Sequence, residues 1–218
     1  MSKSPKIAII LSGNGVYDGA EIHESTLTML AIMQQGGTYE IFAPDIDQHH
    51  VINHITGEEM NEKRNVLTEA ARIARGNIKA LNELNISDFD AVMLPGGFGV
   101  AKNLSNFAFE GENSEVLPEL ENIIKDAVSK GKPIGALCIS PAIIARILKG
   151  VKVTIGQDQG TADAIVTMGG QHIKTNHGEV TIDKNFKVAT TPCYMLDAKI
   201  TDIAAGAENV TKAVFDLI

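Results

Sequence analysis

The chain has 218 residues, 44% of them hydrophobic and 21% charged, enough to bury one sizeable core and short for two. Nineteen basic residues against twenty-seven acidic ones leave a net charge of −8, and Lys and Arg never cluster beyond a pair, so a phosphate backbone would be repelled rather than gripped. No apolar run approaches bilayer length, and the two cysteines, Cys138 and Cys193, suit a reducing compartment better than a disulfide-stapled extracellular domain. The expectation is a single domain over 1–218 in the cytoplasm, with neither nucleic acid nor membrane as partner. Strand-like sequence from Lys6 adds the expectation that no signal peptide is present.

Lys6-Ile-Ala-Ile-Ile-Leu-Ser12 is a continuous apolar run, the pattern of a central parallel strand covered on both faces. A glycine-rich loop, Gly13-Asn-Gly15-Val-Tyr-Asp-Gly19, leads into a helix expected from Ala20 to Gln35, which Gly36-Gly37 stops. Tyr39 to Ala43 is the next strand. Residues 46–62 are polar and predict an irregular excursion or a small hairpin around Thr56-Gly57. A helix from Asn65 to Arg75 and a buried strand from Asp90 to Leu94 follow, and that strand ends in the turn Pro95-Gly96-Gly97-Phe98-Gly99. Ser114 to Lys130 reads as a long amphipathic helix with Leu117, Leu120, Ile123, Ile124 and Ala127 on one face. Beyond Cys138 the pattern predicts a helix, a strand from Val151 to Ile155 and a short helix from Thr161 to Met168. Glu179–Asp183 and Phe186–Thr190 alternate around Lys184-Asn185 as a hairpin, and Asp197 to Ile218 closes the chain as a helix or helix pair. This alternation implies an α/β fold: a three-layer, doubly wound, mostly parallel sheet with a small β-hairpin, which binds ligands beyond the carboxyl ends of its strands.

The stretch Lys132-Pro-Ile-Gly-Ala-Leu-Cys138-Ile-Ser-Pro141 organises the rest. An apolar strand runs into a thiol, and a helical pattern of Ile143, Ile144, Ile147 and Leu148 starts with no turn residues between. Pro141 suits a first helical turn. Cys138 therefore sits on a sharp strand-to-helix corner, a nucleophile elbow, where helix-start amides and the helix dipole are expected to favour the thiolate. The plainer reading of such a cysteine is a small buried hydrophobe.

On the first helix, Ala20, Glu24, Leu27 and Ala31 share a stripe, which makes Glu24 a carboxylate on an apolar face with a raised pKa, a plausible proton carrier. Glu21 is a possible second acid, or an ordinary first-turn acid satisfying the helix dipole. The glycines of the Pro95 turn let backbone N–H groups approach a ligand as an oxyanion site requires. Gly13, Gly15 and Gly19 miss the dinucleotide fingerprint by one residue, and acids at the helix start oppose a pyrophosphate, so NAD is not expected. His177-Gly-Glu179 reads as a turn, and His49, His50 and His54 near Asp45 and Asp47 as surface residues without metal-ligand spacing. Cys193 follows a strand and reads as structural.

Gly135-Ala-Leu-Cys138-Ile-Ser-Pro141, Leu94-Pro-Gly-Gly97-Phe-Gly and the acid-bearing first helix resemble the PfpI and parkinsonism-associated deglycase superfamily, whose fold is that of class I glutamine amidotransferases (flavodoxin-like). The longer motifs Gly13 to Glu24, Ala101-Lys-Asn-Leu-Ser-Asn-Phe107 and Thr190-Thr-Pro-Cys-Tyr-Met195 are similar to the branch linked to isoprenoid biosynthesis. The resemblance implies a glutathione-independent glyoxalase, also described as a protein deglycase, with a small dicarbonyl substrate, no cofactor and a homodimeric state. By position it makes Cys138 the nucleophile, Glu24 the paired acid, and the Gly97 and Ile139 amides the oxyanion donors. Two departures stand out. Gly156 occupies the place where the superfamily often has a His, and Ala142 the place of the amidotransferase Gln. The alternatives are a cysteine-based redox sensor or regulatory binding protein, and, less well supported, an amidotransferase-like subunit.

Overall fold

In the computed structural model, which describes residues 4–218, the first apolar run becomes β1 (Lys6–Ile10). In chain order there follow α1 (Ile22–Gln34), β2 (Thr38–Ala43), α2 (Val66–Ile73), β3 (Lys79–Ala80), β4 (Ala91–Leu94), α3 (Phe98–Lys102), α4 (Phe107–Glu110), α5 (Pro118–Ser129), β5 (Ile134–Leu137) and α6 (Ser140–Ile147). The remainder is β6 (Lys152–Val153), α7 (Gln159–Thr167), β7 (Gln171–His172), β8 (Thr181–Asp183), β9 (Val188–Thr191) and α8 (Ile200–Asp216).

Seven strands make one sheet in the order β3-β2-β1-β4-β5-β9-β8, parallel throughout except for the β8–β9 pair. Because β1 pairs with β2 on one side and with β4 on the other, the winding reverses at β1. A crevice at the carboxyl ends of β1 and β4 follows from that reversal. β4, β5 and β9 are buried at every position, which explains why their sequence runs apolar rather than alternating. Ile10, Leu94, Leu120 and Ile143 pack on the face covered by α5 and α6, while Ile9, Met93, Ile32 and Val210 pack on the face covered by α1 and α8. The expected three layers are therefore present.

Helix starts follow local chemistry. The Asn65 side chain accepts the Thr68 N–H at the head of α2, Asp158 accepts the Thr161 N–H at the head of α7, and Pro118 opens α5. The excursion over residues 46–62 includes an antiparallel bridge between Ile52 and Glu59, with Gly57 in the left-handed region at φ +76°. The expected small hairpin is what forms.

Two expectations need correction. Ala20 precedes α1 rather than belonging to it, and Leu27 is only half-buried; Glu24, Ser25, Thr28, Ala31 and Ile32 are the buried face. The strand expected from Val151 to Ile155 shortens to β6, which leaves the main sheet and pairs with β7. Past it, the Thr154 N–H bonds the Thr190 hydroxyl instead of a strand carbonyl. Of the two forms expected for the final segment, a helix or a helix pair, the single helix is the one present, α8 with 17 residues. The hairpin also has a role its sequence did not suggest: β9 inserts into the parallel sheet beside β5, Leu137 opposite Thr191, and so brings the turn after Thr191 alongside Cys138.

Candidate active site

Cys138 follows β5 directly, its N–H donating to Thr191 O at 3.0 Å and its backbone at φ +61°. A non-glycine residue in the left-handed region is strained by about 1–2 kcal/mol. That twist lets a strand become a helix within one residue, as the elbow requires. The corner is fastened from behind, where the Ser140 hydroxyl at the head of α6 donates to Pro95 O at 2.9 Å.

Opposite the elbow stands Glu24, fully buried on α1. Its Oε2 accepts the Gly96 N–H at 2.9 Å and its Oε1 the Tyr194 N–H at 3.3 Å. Gly96 lies between acid and thiol: a Cβ there would stand 2.7 Å from Glu24 Oε2 and 2.9 Å from Cys138 Sγ. Burial, and then the Glu21 charge, raise the Glu24 pKa from 4.5 to about 7, against the pull of the two amides. Glu21 itself caps α1, its Oε2 accepting the Glu24 N–H at 2.7 Å, while its own N–H donates to Gly96 O at 2.9 Å. Its first-turn role is thus the structural one, and the acid facing the sulfur is Glu24.

The electrostatics of Cys138 run opposite to expectation. Burial, and then the Glu24 carboxylate, push the thiol well above its ordinary range, and the Gly97 and Ile139 amides only partly oppose them. The short stretch of helix-start amides does not outweigh the desolvation of a thiol whose residue is only 7% exposed. The resting site accordingly holds a neutral thiol beside a carboxyl group that titrates near neutrality. A carboxylate at that position can take the thiol proton as the sulfur attacks, and the amides that face the sulfur remain available to a developing oxyanion.

The glycine-rich loop is used for packing. Phe98 N donates to Val16 O and Gly99 N to Gly19 O, while Asn103 Nδ2 donates to both Ser12 O and Asp18 O at 2.9 Å. A Cβ on Gly97 would lie 2.3 Å from Gly19 O, so the two glycine turns touch backbone to backbone. At Gly156 the backbone has φ +90°, and a Cβ would meet Pro192 Cβ at 2.9 Å. No side chain is readily housed where the superfamily often places an imidazole.

Tyr194 was not anticipated. Its amide holds Glu24, the residue lines the cleft in front of Cys138, and its hydroxyl bonds His23 Nδ1 at 2.8 Å. Its signal in the sequence was the Thr190-Thr-Pro-Cys-Tyr motif, which marks a turn without saying what the turn faces. Cys193 is buried with φ +42° and packs toward Gly206 of α8, as a structural residue would. His177 lies exposed in a turn in which Asn176 N donates to Glu179 Oε2. His49 and His50 meet edge to face and both pack against Phe109, and His54 packs tilted against Tyr17; none of the three histidines lines the cleft.

An elbow cysteine facing a buried acid at the carboxyl edge of this sheet defines a class, and the model of the DJ-1/PfpI family matches residues 16–197. The chain belongs to that family. Among individual proteins it is 43% identical to the human "Glutamine amidotransferase-like class 1 domain-containing protein 3, mitochondrial", across 97% of this chain and 83% of that one. A crystal structure from Ehrlichia chaffeensis, described as an isoprenoid biosynthesis protein with an amidotransferase-like domain, superposes with a TM-score of 0.91 at 35% identity, covering 98% of this chain and all of that one. The Rapid Encystment Protein of Francisella tularensis shares the fold alone, with a TM-score of 0.64 at 14% identity over 98% of each chain.

Proposed function

We infer that the protein is a glutathione-independent, cofactor-independent glyoxalase that converts glyoxal to glycolate at Cys138. The observation that carries this reading is the thiol at φ +61° across Gly96 from a buried carboxyl group whose pKa lies at about 7. As Sγ adds to one aldehyde carbon, the thiol proton passes to the Glu24 carboxylate and the carbonyl electron pair becomes an oxyanion, held by the Gly97 and Ile139 amides. Glu24 returns that proton to the oxyanion and, as a carboxylate again, moves a proton from the hemithioacetal carbon to its neighbour through an enediolate, while the hydroxyl proton passes to the second oxygen. Water hydrolyses the resulting thioester and releases glycolate and the free thiol.

With no imidazole at Gly156, Glu24 carries every proton, which predicts slow turnover. Redox sensing asks for an exposed thiol of low pKa, and the burial of Cys138 counts against it. Ala142, buried in α6, counts against glutamine hydrolysis. The link to isoprenoid synthesis enters this reading through the Ehrlichia likeness, and a homodimer in a reducing compartment belongs to it too. Glyoxal loss and glycolate formation by wild type, Cys138→Ala and Glu24→Gln are the test. Turnover that survives without the thiol would overturn the scheme.

A further inference from the structure

Two consecutive residues of α1 grip Tyr194 at both of its ends. The Tyr194 N–H donates to Glu24 Oε1 at 3.3 Å, and the Tyr194 hydroxyl bonds His23 Nδ1 at 2.8 Å, with the two rings 5.9 Å apart between centroids. His23 is exposed and Glu24 is fully buried. The helix therefore holds the phenol from the solvent side and the amide from within.

The grip matters because the turn Cys193–Met195 is strained. Cys193 has φ +42°, a left-handed backbone that is costly for any residue with a Cβ. The amide that reaches Glu24 belongs to the peptide unit directly after it, so a turn that relaxed there would swing the Tyr194 N–H off the carboxyl group. Met195 N donates to Pro192 O and Leu196 N to Cys193 O, which closes the turn on itself without tying it to α1. At 3.3 Å the bond to Glu24 is a long one. The phenol bond is the second fastening, and one hydrogen bond is comparable in strength with the strain of one left-handed residue.

We propose that His23 is a positioning residue: by holding the Tyr194 hydroxyl it keeps the Tyr194 N–H on Glu24 Oε1, and so fixes the acid that faces Cys138. The proposal deepens the glyoxalase reading and rests on it for the use made of the acid, whereas the latch itself is read without turnover. An amide donor favours the carboxylate form, so releasing this one raises the Glu24 pKa further above about 7, with the Gly96 N–H still bonded to the other oxygen. The remaining titratable groups around the carboxyl group are Glu21 on α1, Cys138 at the elbow and Cys193 in the turn. None of them is altered by a substitution at His23.

Carbon NMR of protein isotopically labelled at the glutamate δ-carbon measures the titration directly, the Glu24 signal being the one lost in Glu24→Gln. In His23→Ala and in Tyr194→Phe the Glu24 midpoint is expected to rise by about half a pH unit or more, and by no more when the two are combined, because both remove the same bond. His23→Asn should return it to the wild-type value, since the Asn oxygen stands close to where Nδ1 does and bonds the phenol without carrying a charge. An unmoved midpoint in both single variants overturns the latch, as does a rise in His23→Asn equal to that in His23→Ala, and either leaves the glyoxalase reading standing. Glyoxal turnover measured on the same variants separates the two ideas: rate midpoints that follow the NMR midpoints support both. The expected NMR shifts with no glyoxal consumed by any of the proteins overturn the glyoxalase reading and support the latch.

Discussion

Gly96 donates its backbone N–H to Glu24 Oε2 at 2.9 Å, across 72 positions of sequence, and in doing so places its bare Cα between the acid and the thiol. The carboxyl group can face Cys138 because nothing projects from that Cα. In Gly96→Ala the new methyl would stand 2.4 Å from Cys138 Cβ and 2.7 Å from Glu24 Oε2. Overpacking of this kind costs about 1–3 kcal/mol, and the pair must separate to accommodate it. Urea unfolding should show the loss, and glyoxal turnover should fall by more than tenfold in the fraction that stays folded.

Turnover should rise with pH through a midpoint of about 7, because the carboxylate form of Glu24 is the one that accepts the thiol proton. Initial rates of glyoxal loss between pH 5 and 9 measure this, and Glu24→Gln should leave no such midpoint.

The same group ties stability to pH in the opposite direction. Folded Glu24 keeps its proton up to about 7, whereas in the unfolded chain it ionises near 4.5. The folded state therefore binds more protons between those values, and its stability falls as pH rises from 4.5 to 7, by on the order of 3 kcal/mol from this group. Relative to wild type, Glu24→Gln should gain about that much between pH 4.5 and 8 in urea titrations. Parallel curves for the two proteins would refute the buried-acid assignment.

Replacing Cys138 with Ala or Gly removes the nucleophile equally, so neither variant should consume glyoxal. They differ in backbone cost. Ala keeps a Cβ at φ +61° and Gly does not, so Cys138→Gly is expected to be more stable than Cys138→Ala by about 1 kcal/mol in thermal or chemical unfolding.

Restoring the superfamily's imidazole by Gly156→His should fail. The position has φ +90°, and its Cβ would meet Pro192 Cβ at 2.9 Å and Leu196 Cδ2 at 3.0 Å. The expected result is a loss of about 2 kcal/mol or more with no gain in turnover. A stable, faster variant would show that the missing imidazole, rather than the backbone, limits this site.

The elbow could be found in the sequence because its signal is local: β5 runs apolar into Cys138 and the α6 periodicity starts at once. The burial of Glu24 was legible from spacing along one helix, although the stripe that predicted it included Ala20, which lies outside α1. β3, β6 and β7 have two residues each and α4 has four, too few to show any period. The partnership of Tyr194 with Glu24 spans 170 positions and exists because β9 slots in beside β5, a pairing that no turn motif announces.

Composition and local pattern were thus sufficient for the layered α/β fold, the corner bearing Cys138 and the acid on the first helix, since each depends on neighbours within a few turns of chain. The charge state of the sulfur, the choice of Glu24 over Glu21, and the apolar cleft in front of them were decided by packing. Desolvation is a sum over everything that surrounds an atom, and most of what surrounds Cys138 comes from distant stretches of the chain.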